Sequence, residues 1–151
     1  MNELELKNIF VDQEAGKDKK LALKKVAELL GQSNHLNVND LWQGFLAREQ
    51  ESTTGFGNGV AIPHTKISGL IEPKVGIITF TTPIEWQSLD EKPVYIAIAL
   101  LMSTGSSSKS HLHILAEFAR KLMDDDFIKD LQKSRHNQKD LYKTIISQVN
   151  L

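Results

Sequence analysis

Apolar positions in this chain follow a helical period near both ends and run continuously in the middle. Leu23, Val26, Ala27 and Leu30 fall at i, i+3, i+4 and i+7, which is one face of a helix. Lys17-Asp18-Lys19-Lys20 open that helix, and Gly31 sits where a C-terminal cap belongs. It is the first strongly patterned element. A second helix is predicted to start near Asn37 or Asn39, carry Leu41, Trp42, Phe45 and Leu46 inward, and end around Arg48.

The character then changes. Residues 52–59 read Ser-Thr-Thr-Gly-Phe-Gly-Asn-Gly, a composition that permits unusual backbone angles and is not expected to hold a regular element. The short apolar stretch Val60-Ala61-Ile62 follows and is stopped by Pro63, which has no N–H for a sheet ladder. His64 is thereby set at a strand end or in a turn. Residues 74–81 and 94–102 are predicted strands, the second apolar throughout, as a strand covered on both faces would be. Thr82-Pro83 is read as the start of one turn and Asp90-Glu91-Lys92-Pro93 as another.

Helices return after a polar loop, Ser103-Thr104-Gly105-Ser106-Ser107-Ser108, that offers several N-caps. Leu112, Leu115, Ala119 and Leu122 are predicted to face inward on the first of them. A shorter helix buries Phe127, Ile128 and Leu131, and a last one from about Gln138 buries Leu141, Ile145 and Val149. Helices before, beside and after a few strands predict one α/β domain over residues 1–151, a mixed sheet flanked by helices on both faces.

Composition narrows the class. The chain has 151 residues, 40% hydrophobic and 25% charged, in the range of one ordinary soluble domain. Without cysteine there can be no disulfide, thiolate metal site or cysteine nucleophile. Eighteen basic and nineteen acidic residues give a formal charge of −1, so no global basic field exists to hold a nucleic-acid backbone. The first residues, Met1-Asn2-Glu3-Leu4-Glu5, lack the pattern of a signal peptide. The longest apolar run, 94–102, is about half a membrane crossing. A cytoplasmic protein that is not membrane-embedded is expected.

Five histidines are candidates for chemistry: His35, His64, His111, His113 and His136. His35 and His136 lie in polar stretches and read as ordinary surface residues. His64 follows a glycine-rich turn and a proline-stopped strand, an arrangement that either fixes an exposed rim residue or caps a buried turn. His111 lies at the start of a patterned helix, where unpaired N–H groups and the positive dipole end discourage a charged ring and favour an anion nearby. A helix-start histidine without a role fits the local sequence equally well. His111-Leu112-His113 would offer two metal ligands only in a strand, and the leucine spacing favours a helix, so no metal site is expected. Asp124-Asp125-Asp126 is read as a helix cap. Neither a His-Glu-x-x-His motif, nor a P-loop, nor a Gly-x-Ser-x-Gly elbow occurs.

Taken together, Arg48-Glu49, the string from Ser52-Thr53-Thr54-Gly55-Phe56-Gly57 through Asn58-Gly59-Val60-Ala61-Ile62-Pro63-His64, and His111-Leu112-His113-Ile114-Leu115 closely resemble the fructose/mannitol-type enzyme IIA domains of the bacterial phosphotransferase system. Residues 57–66 and 111–113 look most like the nitrogen-regulatory branch, as does a domain with no transporter segment attached. The family pattern often has Gly after the active histidine. Here Thr65 stands in that place, a change expected to be tolerated.

The resemblance implies a phosphotransferase working through a phosphohistidine. His64 would be the phosphorylated nucleophile, His111 the second active-site histidine stabilising the phosphoryl group, and Arg48 the nearby cation. Phe56, between two glycines, is a candidate for partner docking, or turns into the core. The implied partners are an HPr- or NPr-like phosphocarrier and, downstream, regulated target proteins or a permease IIB domain. No cofactor is implied. The alternative role is a sugar-specific IIA component feeding a fructose- or mannitol-type permease.

Overall fold

The structure, a computed structural model, describes residues 3–104 and 108–151, with side chains described outside 105–110. The N-caps expected on Gly105, Ser106 and Ser107 lie outside the described residues. The chain runs β1 (Leu4–Gln13), α1 (Lys19–Asn34), α2 (Val38–Glu51), β2 (Gly55–Gly57), β3 (Val60–Ala61), β4 (His64–Ile67), β5 (Lys74–Ile84), β6 (Val94–Ser103), α3 (Ser108–Lys121), α4 (Asp125–Ser134) and α5 (Gln138–Gln148).

The six strands form one mixed sheet in the order β1-β5-β6-β3-β2, with β4 also paired to β6. Strands β1 and β5 are parallel, β5 and β6 antiparallel, and β3 and β4 both run parallel to β6. Two apolar layers separate on the sheet's faces. Leu23, Val26, Leu30, Leu41 and Phe45 of α1 and α2 pack with Ile78, Ala97 and Leu101 on one face. Phe118, Phe127, Leu131, Leu141 and Ile145 of α3, α4 and α5, with Leu122 just after α3, pack with Ile77, Ile96, Ile98 and Leu100 on the other. Strand β6 alternates between the two layers, which is why it is apolar at nearly every position. Among the described residues no helix is long and apolar enough to cross a membrane.

Several predicted features shift. Strand β1 precedes the first helical pattern and pairs with β5 through Leu4↔Val75 and Ile9↔Ile77. Its buried positions are broken by Asn8, fully buried and joined to Asn34 and Ser33 by side-chain hydrogen bonds, so the strand carries no clean apolar alternation. Helix α1 runs past Gly31 and ends at His35, which adopts the left-handed conformation at φ 57° and donates its N–H to Gly31 O. Gly31 serves instead as a place of close approach, where a Cβ would lie 2.8 Å from Val38 Cγ2. Pro83 does not begin a turn. It lies inside β5, within the register shift between Thr79 and Ile84, where the missing N–H breaks no regular ladder.

Helix α3 turns differently from the expected leucine face. His111, Ile114, Phe118 and Leu122 are buried, whereas Leu112 is 63% exposed. The stripe at i, i+3, i+7 and i+11 contains a histidine, which a purely apolar pattern passes over. Asp124 caps α4 by accepting from Asp126 N, as expected of that aspartate run.

Candidate functional site

The site is built where α2 and the glycine-rich segment meet the start of β4. Residues 52–59 do hold regular structure: β2 pairs antiparallel with β3 through Gly55↔Ala61 and Gly57↔Val60. Asn58 (φ 57°) and Gly59 (φ 82°) occupy the connection in left-handed conformations, the pair of angles that a two-residue type I′ hairpin demands. The expectation of an irregular loop fails because an Asn-Gly pair closes a hairpin, and two glycines can still extend when paired. Gly55 is required where it stands, since a Cβ there would lie 2.7 Å from Ser88 Cα.

Val60 to Ile67 then runs along β6 in two short pieces. Val60↔Ile96 and Ala61↔Ala97 end the first, and His64↔Leu100 starts the second. Pro63 interrupts the ladder as a donor but not as an acceptor, because its carbonyl receives Leu100 N at 2.9 Å. His64 is therefore the first residue of β4, at a strand end, one of the two expected placements, and half-buried.

Both ring nitrogens of His64 are engaged. Nδ1 lies 2.9 Å from Ile62 O, and a carbonyl can only accept, so Nδ1 carries the proton in the neutral ring. Nε2 is thus the nitrogen with a lone pair, and it accepts from Arg48 Nε at 3.0 Å. The Arg48 guanidinium also donates from Nη1 to Ser52 O at 2.8 Å. Burial pushes the His64 pKa below its ordinary value of 6.5. The Ile62 carbonyl opposes that shift, and the Arg48 charge adds to it. The ring is held neutral, with one nitrogen free of a proton.

Arg48 and His64 line a cleft of about 270 Å³ with Thr53, Thr54, Phe56, Ile62, Leu89, Leu115 and Ala119. Phe56 lines this cleft and also packs, half-buried, against the apolar layer beneath. Leu89 is 75% exposed at its rim. His111 is buried, lining a separate small space with Pro73, Lys74, Leu100, Leu101, Met102 and Ile114. It lies one helical turn before Leu115 on the same face of α3, and on the same side of the sheet as His64. Burial and the Lys66 charge push its pKa down from 6.5. The structure thus joins Arg48, His64 and Phe56 in one cleft and places His111 beside it, packed under the helix start.

The remaining histidines fall elsewhere. His35 caps α1, and His113 Nε2 lies 3.2 Å from Asn150 O. His136 lies at the surface as expected, with its Nδ1 2.5 Å from Asp12 Oδ1 and its Nε2 accepting from Arg135 Nε at 3.2 Å. A larger cleft of about 790 Å³ opens at Lys17, Lys19, Lys20 and Glu85, but no histidine lines it, and Lys19 is paired with Glu49. Size alone does not mark the site.

Thr65, the departure from the family pattern, has its own partner. Its side chain lies against Gly44 of α2, where an added Cβ would be 2.2 Å from Thr65 Oγ1. A backbone carbonyl fixing the tautomer is expected of a nucleophilic His64; that it is the Ile62 carbonyl is what residue types could not reveal, since every residue has one.

Comparison with known proteins gives the family and the fold. Residues 3–148 match the family described as phosphoenolpyruvate-dependent sugar phosphotransferase system, EIIA 2. The chain is 34% identical over 128 residues to the nitrogen regulatory protein of Escherichia coli K12, covering 84% of this chain and 77% of that protein. It is 28% identical over 116 residues to the fructose-specific EIIABC component of Bacillus subtilis, covering 76% of this chain but 18% of that protein. The solved nitrogen regulatory protein IIA-Ntr of Neisseria meningitidis superposes with a TM-score of 0.81 at 27% identity, over 94% of this chain and 95% of that one.

Proposed function

The chain belongs to the EIIA 2 family of the phosphoenolpyruvate-dependent phosphotransferase system, and on that premise we propose that it is a cytoplasmic phosphocarrier of the nitrogen-regulatory kind. His64 takes a phosphoryl group from the phosphohistidine of an HPr- or NPr-like carrier and passes it on. The observation that carries this reading is the fixed ring of His64, proton on Nδ1 and lone pair on Nε2 beside Arg48.

The step balances without a metal or a net proton. The Nε2 lone pair attacks phosphorus, an Nε2–P bond forms, and the donor's N–P bond breaks with its electron pair returning to the donor ring. Onward transfer is the same exchange with an acceptor in place of the donor. Arg48 Nε–H fills the attacking lone pair at rest, so the guanidinium must leave it as the phosphoryl group arrives. It then has donors to offer the phosphoryl oxygens, which carry the charge that needs offsetting. His111, held neutral and one turn from the cleft, is proposed to stabilise those oxygens after a small shift of the α3 start. Phe56 and the exposed Leu89 give a partner apolar surface around the ring.

Incubation with phosphoenolpyruvate, enzyme I and either carrier should yield acid-labile phosphate mapping to His64. Labelling of the His64→Ala variant by the same donor would overturn the assignment. The similarity to a fructose-specific component keeps a sugar-specific role as the second reading, and faster labelling by an HPr-type than by an NPr-type carrier would favour it.

A further inference from the structure

The residue after Arg48 is gripped more thoroughly than any catalytic role so far requires. Glu49 has a side chain only 7% exposed, and its carboxylate gathers donors from three parts of the chain. Lys19 Nζ of α1 reaches Oε2 at 3.0 Å. Thr54 N donates to both oxygens at 3.1 and 3.2 Å, and Thr54 Oγ1 donates to Oε1. Trp86 Nε1, from the segment between β5 and β6, lies 3.3 Å from Oε1 and 3.1 Å from Thr54 Oγ1. A buried carboxylate with this many donors is stabilised in one orientation, and its removal would leave several buried donors unmet.

Thr54 leads on to the nucleophile. Its carbonyl accepts Ile62 N at 2.9 Å, and the Ile62 carbonyl in turn accepts His64 Nδ1 at 2.9 Å. Two adjacent residues of α2 therefore hold the two nitrogens of one ring: Arg48 directly at Nε2, and Glu49 through Thr54 and Ile62 at Nδ1. We propose that Glu49 is a positioning residue that fixes the tautomer and orientation of His64 through the Thr54–Ile62 relay. The inference rests on the reading of His64 as nucleophile, because a fixed tautomer matters only if Nε2 must present a lone pair.

The test pairs a rate with a spectrum. In Glu49→Ala, the rate constant for phosphorylation by a saturating phosphorylated carrier should fall roughly 10- to 100-fold, the usual cost of misplacing a reacting group from a distance. The KM for the carrier should change much less, since Glu49 faces away from the docking surface. Nitrogen-15 NMR of the ring should show one tautomer in the unsubstituted protein and a mixture in the variant. Glu49→Gln keeps an acceptor for Thr54 and should restore most of the rate and the single tautomer.

A loss of thermal stability with rate and tautomer unchanged would overturn the proposal. Should Glu49→Ala not fold, Thr54→Val removes the hydroxyl that joins Glu49 and Trp86 while keeping the Thr54 N–H, and an unaltered tautomer there counts equally against it. The spectrum needs no donor, so a protein that is never phosphorylated would refute the function while the tautomer still judges the relay.

Discussion

Gly44→Ala is a small change whose sign discriminates between two physical effects. Alanine gains about 1 kcal/mol over glycine inside a helix, so at an open position the substitution would stabilise α2. Here the new Cβ would lie 2.2 Å from Thr65 Oγ1, 3.1 Å from Thr65 Cβ and 3.3 Å from Cγ2. A β-branched side chain on a paired strand has little room to turn away, and overpacking of this kind costs about 1–3 kcal/mol. The expected net loss is about 0–2 kcal/mol. Removing the obstruction with Thr65→Gly should leave only the helical gain, so the two substitutions should couple by about 1–3 kcal/mol in a double-mutant cycle. Equilibrium urea unfolding of the four proteins measures this, and each kcal/mol should also appear as about 2–4 °C in Tm for a chain of this size. Arg48 lies one turn beyond Gly44 on the same face of α2, so prising α2 from β4 should lengthen the 3.0 Å contact to His64 and slow phosphorylation in the single variant. A coupling below about 0.5 kcal/mol would refute the packing argument, since that is the scatter between independent sites.

Other outcomes follow from the same geometry. Arg48→Lys keeps a charge but loses the fork that reaches both His64 and Ser52, and phosphorylation should slow on the order of 100-fold in a rapid-quench assay. His111→Ala should leave phosphorylation of His64 reduced but detectable in the same assay. Because the folded pKa values of His64 and His111 lie below 6.5, the acid limb of the phosphorylation-rate profile should fall below that pH. In the window between the folded values and 6.5 the unfolded chain binds more protons than the native one, so stability is full above 6.5 and is lost as pH falls through that window. Tm measured from pH 8 to 5 should show this loss, and the variant lacking both rings should show less of it.

The elements from α1 onward were largely legible because their signals are local. Helical periods in α1, α2, α4 and α5 and the continuous apolar run of β6 follow from which faces must leave water, and the residues record that directly. The resemblance singled out His64 through a long uninterrupted string and Arg48 through the short segment before it, and the string includes close-approach and hairpin positions at Gly55, Asn58 and Gly59. Where the reading failed, two local signals competed. Glycines argued for a loop while Asn-Gly argued for a hairpin, and Pro83 argued for a turn while β5 absorbed it in a bulge. On α3 a histidine stands in the buried stripe, so the leucine pattern placed Leu122 inward correctly but misplaced the exposed Leu112.

What residue order alone determined was the inventory: an imidazole at a strand end, a guanidinium at a helix end, and a fold with sheet and helices in known order. Tertiary structure decided which nitrogen of His64 is nucleophilic, because that depends on the Ile62 carbonyl and Arg48 arriving at opposite edges of one ring. It also decided that His111 is buried beside the cleft, and that Glu49, Thr54 and Trp86 stand behind it. Hydrogen bonds between segments distant in the chain are set by where packing brings backbone groups, and those groups are chemically the same at almost every position.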